Sequence, residues 1–84
     1  MNMVDAAKAT MDRAYLAGMR AGSSPIKELD YDHLWWMVSQ MREIEMSPSK
    51  MGRWLGWIQA AVVAANVGLS LEDMKNINRV YAND

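Results

Sequence analysis

Ser47-Pro48-Ser49-Lys50-Met51-Gly52-Arg53-Trp54-Leu55-Gly56-Trp57-Ile58-Gln59 decides the fold of this chain. Serine caps helices well, because its hydroxyl accepts from a free N–H of the first turn. Pro48 follows at the first helical position, where the missing N–H has no partner to lose. Met51, Leu55, Ile58, Val62 and Ala65 recur at three- and four-residue spacing and make one apolar face. Met46 and Met51 flank the cap at the spacing of a hydrophobic staple. These signals predict a helix from Ser47 to about Val67, closed by Gly68. From Ala60 to Ala65 the helix is apolar nearly all round, as expected of a core centre or a subunit interface.

Working outward, every other segment is helical as well. Ala, Met, Leu and Lys dominate Met3 to Ala21, and Val4, Ala7, Met11, Ala14 and Leu16 form its stripe. Gly22 suits the left-handed residue after that helix, and Gly18 reads as a weak spot or a place of close backbone approach. A turn over Pro25–Leu29 leads to Asp30, a second capping residue, with Leu29 and Leu34 as its staple. The next helix is expected from Tyr31 to about Glu45, with Leu34, Met37, Met41 and Ile44 facing inward. Ser70 caps the last helix, Asp73 completes a capping box, and Leu71, Met74, Ile77 and Tyr81 face inward. The tail Ala82–Asp84 is expected to fray. No stretch alternates like a strand. The expected fold is an all-α helical bundle, three long helices plus a short C-terminal one, in a single domain over residues 1–84.

Bulk composition narrows the function classes. The chain has 84 residues, a net charge of −1 and no cysteine. A disulfide framework and a thiolate metal site are thereby excluded. A domain this small gains core by oligomerising, and 51% apolar residues with nine Met and four Trp leave surface for a partner. A basic excess is absent, which weighs against nucleic acid as a partner. No run approaches ~18 apolar residues, so no membrane span is expected, and no secretory signal is read at the N-terminus. A cytoplasmic location follows as the expectation.

The opening stretch also carries the candidate chemistry. Lys50 and Trp54 are four apart, as are Arg53 and Trp57, so each cation can lie on an indole face. No acid occurs between Glu45 and Glu72. Lys50 and Arg53 are candidates to hold a phosphate or carboxylate, Trp54 or Trp57 to stack on a base, and Gln59 to bond its edge. The competing expectation buries both indoles, with the cations reaching past them. His33-Leu34-Trp35-Trp36 adds His33 and Trp36 as ligand contacts. Adjacent indoles point about 100° apart on a helix, so at most one is fully buried. Gly52 and Gly56, continued by Ala60 and Val63, form a small-residue interface strip for a close helix crossing.

Catalysis finds little support: the single His33 has no evident nucleophile, and no phosphate-cradling glycine loop occurs. Glu28, Asp30 and Asp32 read as a solvated loop and helix start. Neither a metal site nor a cofactor is expected. A helix-turn-helix over Asp30–Gln59 is a further alternative, weakened because Lys50 and Arg53 are the only phosphate contacts its second helix offers.

Asp32-His33-Leu34-Trp35-Trp36-Met37 is similar to the early part of short open reading frames in tailed bacteriophages. Lys50–Gln59 resembles their arginine-tryptophan-leucine-glycine-x-isoleucine-glutamine segment, and Leu71-Glu72-Asp73-Met74 fits as well. The resemblance spans roughly Tyr31 to Asn78 and leaves the first helix outside. It implies a phage or prophage accessory protein that acts by binding, in counter-defence or host takeover. The leading expectation is sequestration of a small anionic nucleotide-type signal by a homo-oligomer. The alternative is inhibition of a host or defence protein, such as a CRISPR-type complex, through an exposed Trp/Met face.

Overall fold

In a computed structural model, which describes residues 1–82, the chain forms four α-helices and a short 3-10 turn. They are α1 (Met3–Leu16), the turn Lys27–Leu29, α2 (Tyr31–Glu43), α3 (Pro48–Ala64) and α4 (Leu71–Val80). No strand occurs among the described residues, and none of the helices is long and apolar enough to cross a membrane. Of the tail expected to fray, Asn83 and Asp84 lie outside the described residues.

The α1–α3 crossing is the most extensive contact in the fold. α1 turns Ala6, Ala7, Thr10, Met11 and Ala14 inward, all at 0% exposure. Its alanines let the α3 backbone come close, while Leu55, Ile58 and Val62 of α3 supply the volume. Leu34, Met37, Val38 and Met41 of α2, with Met74 and Ile77 of α4, complete the core.

Helix starts follow the sequence closely. Ser47 accepts from the Lys50 N–H at 3.2 Å. Ser70 accepts from the Asp73 N–H at 3.1 Å, and Asp73 accepts from the Ser70 N–H at 2.8 Å, which completes the capping box. Asp30 is the exception. It precedes α2 in extended conformation, but its carboxylate turns back to accept from the Ser23 hydroxyl and the Ser24 N–H.

Helix ends fall earlier than expected. α1 stops at Leu16 because Gly18, with φ +105°, is the left-handed residue that closes it. Gly18 N–H donates to Tyr15 and Met19 N–H to Ala14, the bonding of a Schellman motif. Met19 is drawn into the core, and Leu16, expected inside, is 81% exposed. α3 stops at Ala64, with Asn66 left-handed at φ 58°, before Gly68 is reached. α2 ends at Glu43, so Ile44 leaves the helical stripe in extended conformation and is exposed. Leu71, at the first position of α4, is also exposed.

Hydrogen bonds from the Ser70 backbone and hydroxyl hold the Asp73 carboxyl below its ordinary value, outweighing a partial desolvation that pushes it up. A lowered folded-state value contributes stability above the unfolded value of about 3.9, lost as pH falls through the folded value. The melting difference between wild type and Asp73→Asn is therefore expected at about pH 6 and should vanish toward about pH 2. Ser70→Ala should cost about 1 kcal/mol, read as a fall in melting temperature of roughly 4–8 °C.

Candidate functional site

α2 and α3 bring aromatic rings together at the surface. Trp36 and Trp54 have ring centroids 6.1 Å apart, and His33 lies 5.3 Å from Trp36, both pairs tilted. Lys50 Nζ stands 5.4 Å from the Trp54 ring, so this expected cation–ring pair is present. The order along the surface is Lys50, Trp54, Trp36, His33. Trp36 is 50% exposed, whereas Trp35 is half-buried against the core, so the adjacent indoles divide as helical geometry requires.

Trp57 is 47% exposed, and its indole N–H donates to the Glu28 carbonyl oxygen at 3.0 Å. That bond ties α3 to the 3-10 turn. Arg53 is exposed, and no hydrogen bond, ion pair or ring contact holds it among the described residues. The expected Arg53–Trp57 stack is not formed.

Gln59 is not in this row. It is 8% exposed and points into the junction of α1, α3 and α4. Its amide nitrogen donates to Asn78 Oδ1 at 2.8 Å and Thr10 Oγ1 at 3.2 Å, and its Oε1 accepts from Asn78 Nδ2 at 3.1 Å. Thr10 Oγ1 in turn donates to the Ala6 carbonyl oxygen at 2.8 Å. The expected edge contact for a ligand is therefore an internal helix clasp. The signal was in the spacing: Gln59 stands four residues after Leu55 and three before Val62, on the inward face.

Beside the row opens a cleft of about 620 Å³, lined by Lys27, Glu28, Asp30, Asp32, His33 and Trp36. Two expected ligand residues, His33 and Trp36, are on its wall. Lys50 and Arg53 are not among the lining residues. Glu28, Asp30 and Asp32, read from sequence only as a solvated loop and helix start, give the lining three acidic residues against the one cation Lys27, with the Asp30 carboxylate turned back to Ser23 and Ser24. Partial desolvation pushes the Asp30 carboxyl up, but hydrogen bonds from the Tyr31 and Ser24 backbone and the Ser23 hydroxyl outweigh it and hold it below its ordinary value. Among the described residues no group of three or more His, Asp or Glu converges as a metal site.

The small-residue strip lies outward. Gly52, Gly56 and Ala60 are exposed, and Val63 is half-buried. A Cβ on Gly56 would meet nothing within 4 Å, and one on Gly52 only the Met3 sulfur at 3.8 Å. No close crossing within the chain uses Gly56; α1 supplies that crossing with its own alanines.

Comparison with protein-family models, with curated proteins and with solved structures gives no match.

Two substitutions separate structural from surface roles. Gln59→Ala strands Asn78 and Thr10 and should cost about 1–3 kcal/mol by denaturant unfolding. Gly56→Ala should stabilise the chain by about 1 kcal/mol, since helical alanine meets no neighbour. That gain is the expectation for the single chain; where a second copy packs on the strip, the added methyl acts the other way and is read as a lower native mass.

Proposed function

We propose that this chain acts by binding, as a phage accessory protein in the host cytoplasm, and that it docks on a host or defence protein through Trp36, Trp54 and Trp57. What carries this reading is Trp36: a half-exposed indole whose ring already contacts both His33 and Trp54. A ring fixed before binding loses little freedom on contact, which is what an interface anchor needs. Trp57 is also half-exposed and is held by its bond to Glu28. The role is non-catalytic.

A second reading keeps a small anionic nucleotide-type ligand. Lys50 over Trp54, with Arg53 unpaired one turn away, supports it. The carboxylates beside Trp36 and the inward turn of Gln59 favour the protein partner. In either case we extend the proposal to self-association, with the strip Gly52, Gly56, Ala60 and Val63 as the surface open to a second copy.

Native mass spectrometry of the protein purified from phage-infected, defence-active cells tests these readings together. A stoichiometric complex with one host protein, lost in Trp36→Ser while helicity is kept, is the expected result. A retained nucleotide-sized mass that disappears in Arg53→Ala would replace it with sequestration. Gly56→Leu should lower the subunit number; an unchanged number removes the strip as an interface.

A further inference from the structure

The cleft beside Trp36 has a chemistry that neither Lys50 nor Arg53 explains. Its lining combines the Trp36 and His33 rings with the acidic residues Glu28, Asp30 and Asp32 and the cation Lys27. Asp30 is occupied with Ser23 and Ser24, but no hydrogen bond or ion pair engages the Glu28 or Asp32 carboxylates among the described residues. The Trp36 ring contacts both His33 and Trp54. Among the described residues no three acidic or histidine side chains converge as a metal site. A planar organic cation suits an exposed indole beside acidic side chains. A guanidinium stacks on an aromatic face and offers five N–H donors around its rim, which carboxylates accept in pairs. An isolated ammonium would satisfy the charge but not the flat wall.

We propose that the cleft lined by Glu28, Asp32, His33 and Trp36 receives an arginine side chain of the partner protein, stacked on Trp36 and bonded by Glu28 and Asp32. This rests on the protein-docking reading and names the chemistry of its anchor. Lys27, also in the lining, sets a limit: a second cation close to the arginine is repelled, so the site selects one arginine rather than a basic tract. The two carboxylates also steer an approaching cation, and that contribution weakens with salt.

The probe is acetyl-Gly-Arg-Gly-amide, titrated into isotope-labelled protein and followed by NMR. Its control replaces arginine by citrulline, which keeps the shape and loses the charge. Shifts should centre on the Trp36 indole and the Glu28, Asp32 and His33 amides. Citrulline should bind at least tenfold more weakly, and so should arginine to the Glu28→Gln, Asp32→Asn double variant. That variant keeps the Glu28 carbonyl that Trp57 needs, and retained Trp57 signals confirm the fold. Shifts that are absent, that spread elsewhere, or that citrulline reproduces would overturn the proposal. So would finding the cleft blocked by Arg53 of a second copy, recognised by its opening in Arg53→Glu. If the host complex forms through Trp36 while the arginine peptide fails, docking stands and the arginine anchor falls; the converse leaves the anchor without the host partner.

Discussion

Two amides facing each other at the meeting of three helices set the arrangement of everything outside. Gln59 and Asn78 exchange hydrogen bonds in both directions, and Gln59 also donates to Thr10, whose hydroxyl is fully buried. Such a clasp tolerates little rotation, because a slipped helix would strand polar groups away from water at about 1–3 kcal/mol each. Thr10 adds a bond to the Ala6 carbonyl and so ties the clasp to the α1 backbone. The apolar contacts around it supply the bulk of the burial, but they are less selective in direction.

Fixing Gln59 inward fixes the rest of α3. At about 100° per residue, Trp57 turns to nearly the opposite side and Lys50 fully so. Arg53 falls about 120° and Gly56 about 60° from Gln59, and all four are exposed. α2 then meets α3 through the tilted contact of Trp36 with Trp54, and the 3-10 turn meets it through Glu28 and Trp57. The outcome is a face with cations at one end, rings in the middle and carboxylates at the other. Each end differs in what it can hold, which is why an anion and a cation are not served by the same cleft.

Much of the fold was legible before any coordinates. Caps at Ser47 and Ser70 and the buried runs Leu34–Met37–Met41 and Leu55–Ile58–Val62 follow from short-range chemistry, and they stand as read. Helix ends were less legible, because Gly18 and Gly22 both reach positive φ and sequence offers no way to choose between them. Met19 decided it: burying that side chain requires the chain to turn back at Gly18. The site was legible in part. Helix spacing put Lys50 by Trp54 and separated Trp35 from Trp36. Gln59 was misplaced, because its partners Thr10 and Asn78 lie far off in the chain. The acidic cleft was missed for the same reason: only the folded turn brings Glu28 beside Trp36.

The most direct test of this division between an inward clasp and an outward aromatic face is the solvent attenuation of the four indole N–H signals by a soluble paramagnetic probe. Trp36 should lose the most intensity, and Trp35 should be the better protected of the adjacent pair. Trp57 should be attenuated by its exposure yet exchange slowly, because its N–H is bonded to Glu28. A shielded Trp36 in the free protein would contradict the account, since the ring assigned to a partner would already be covered.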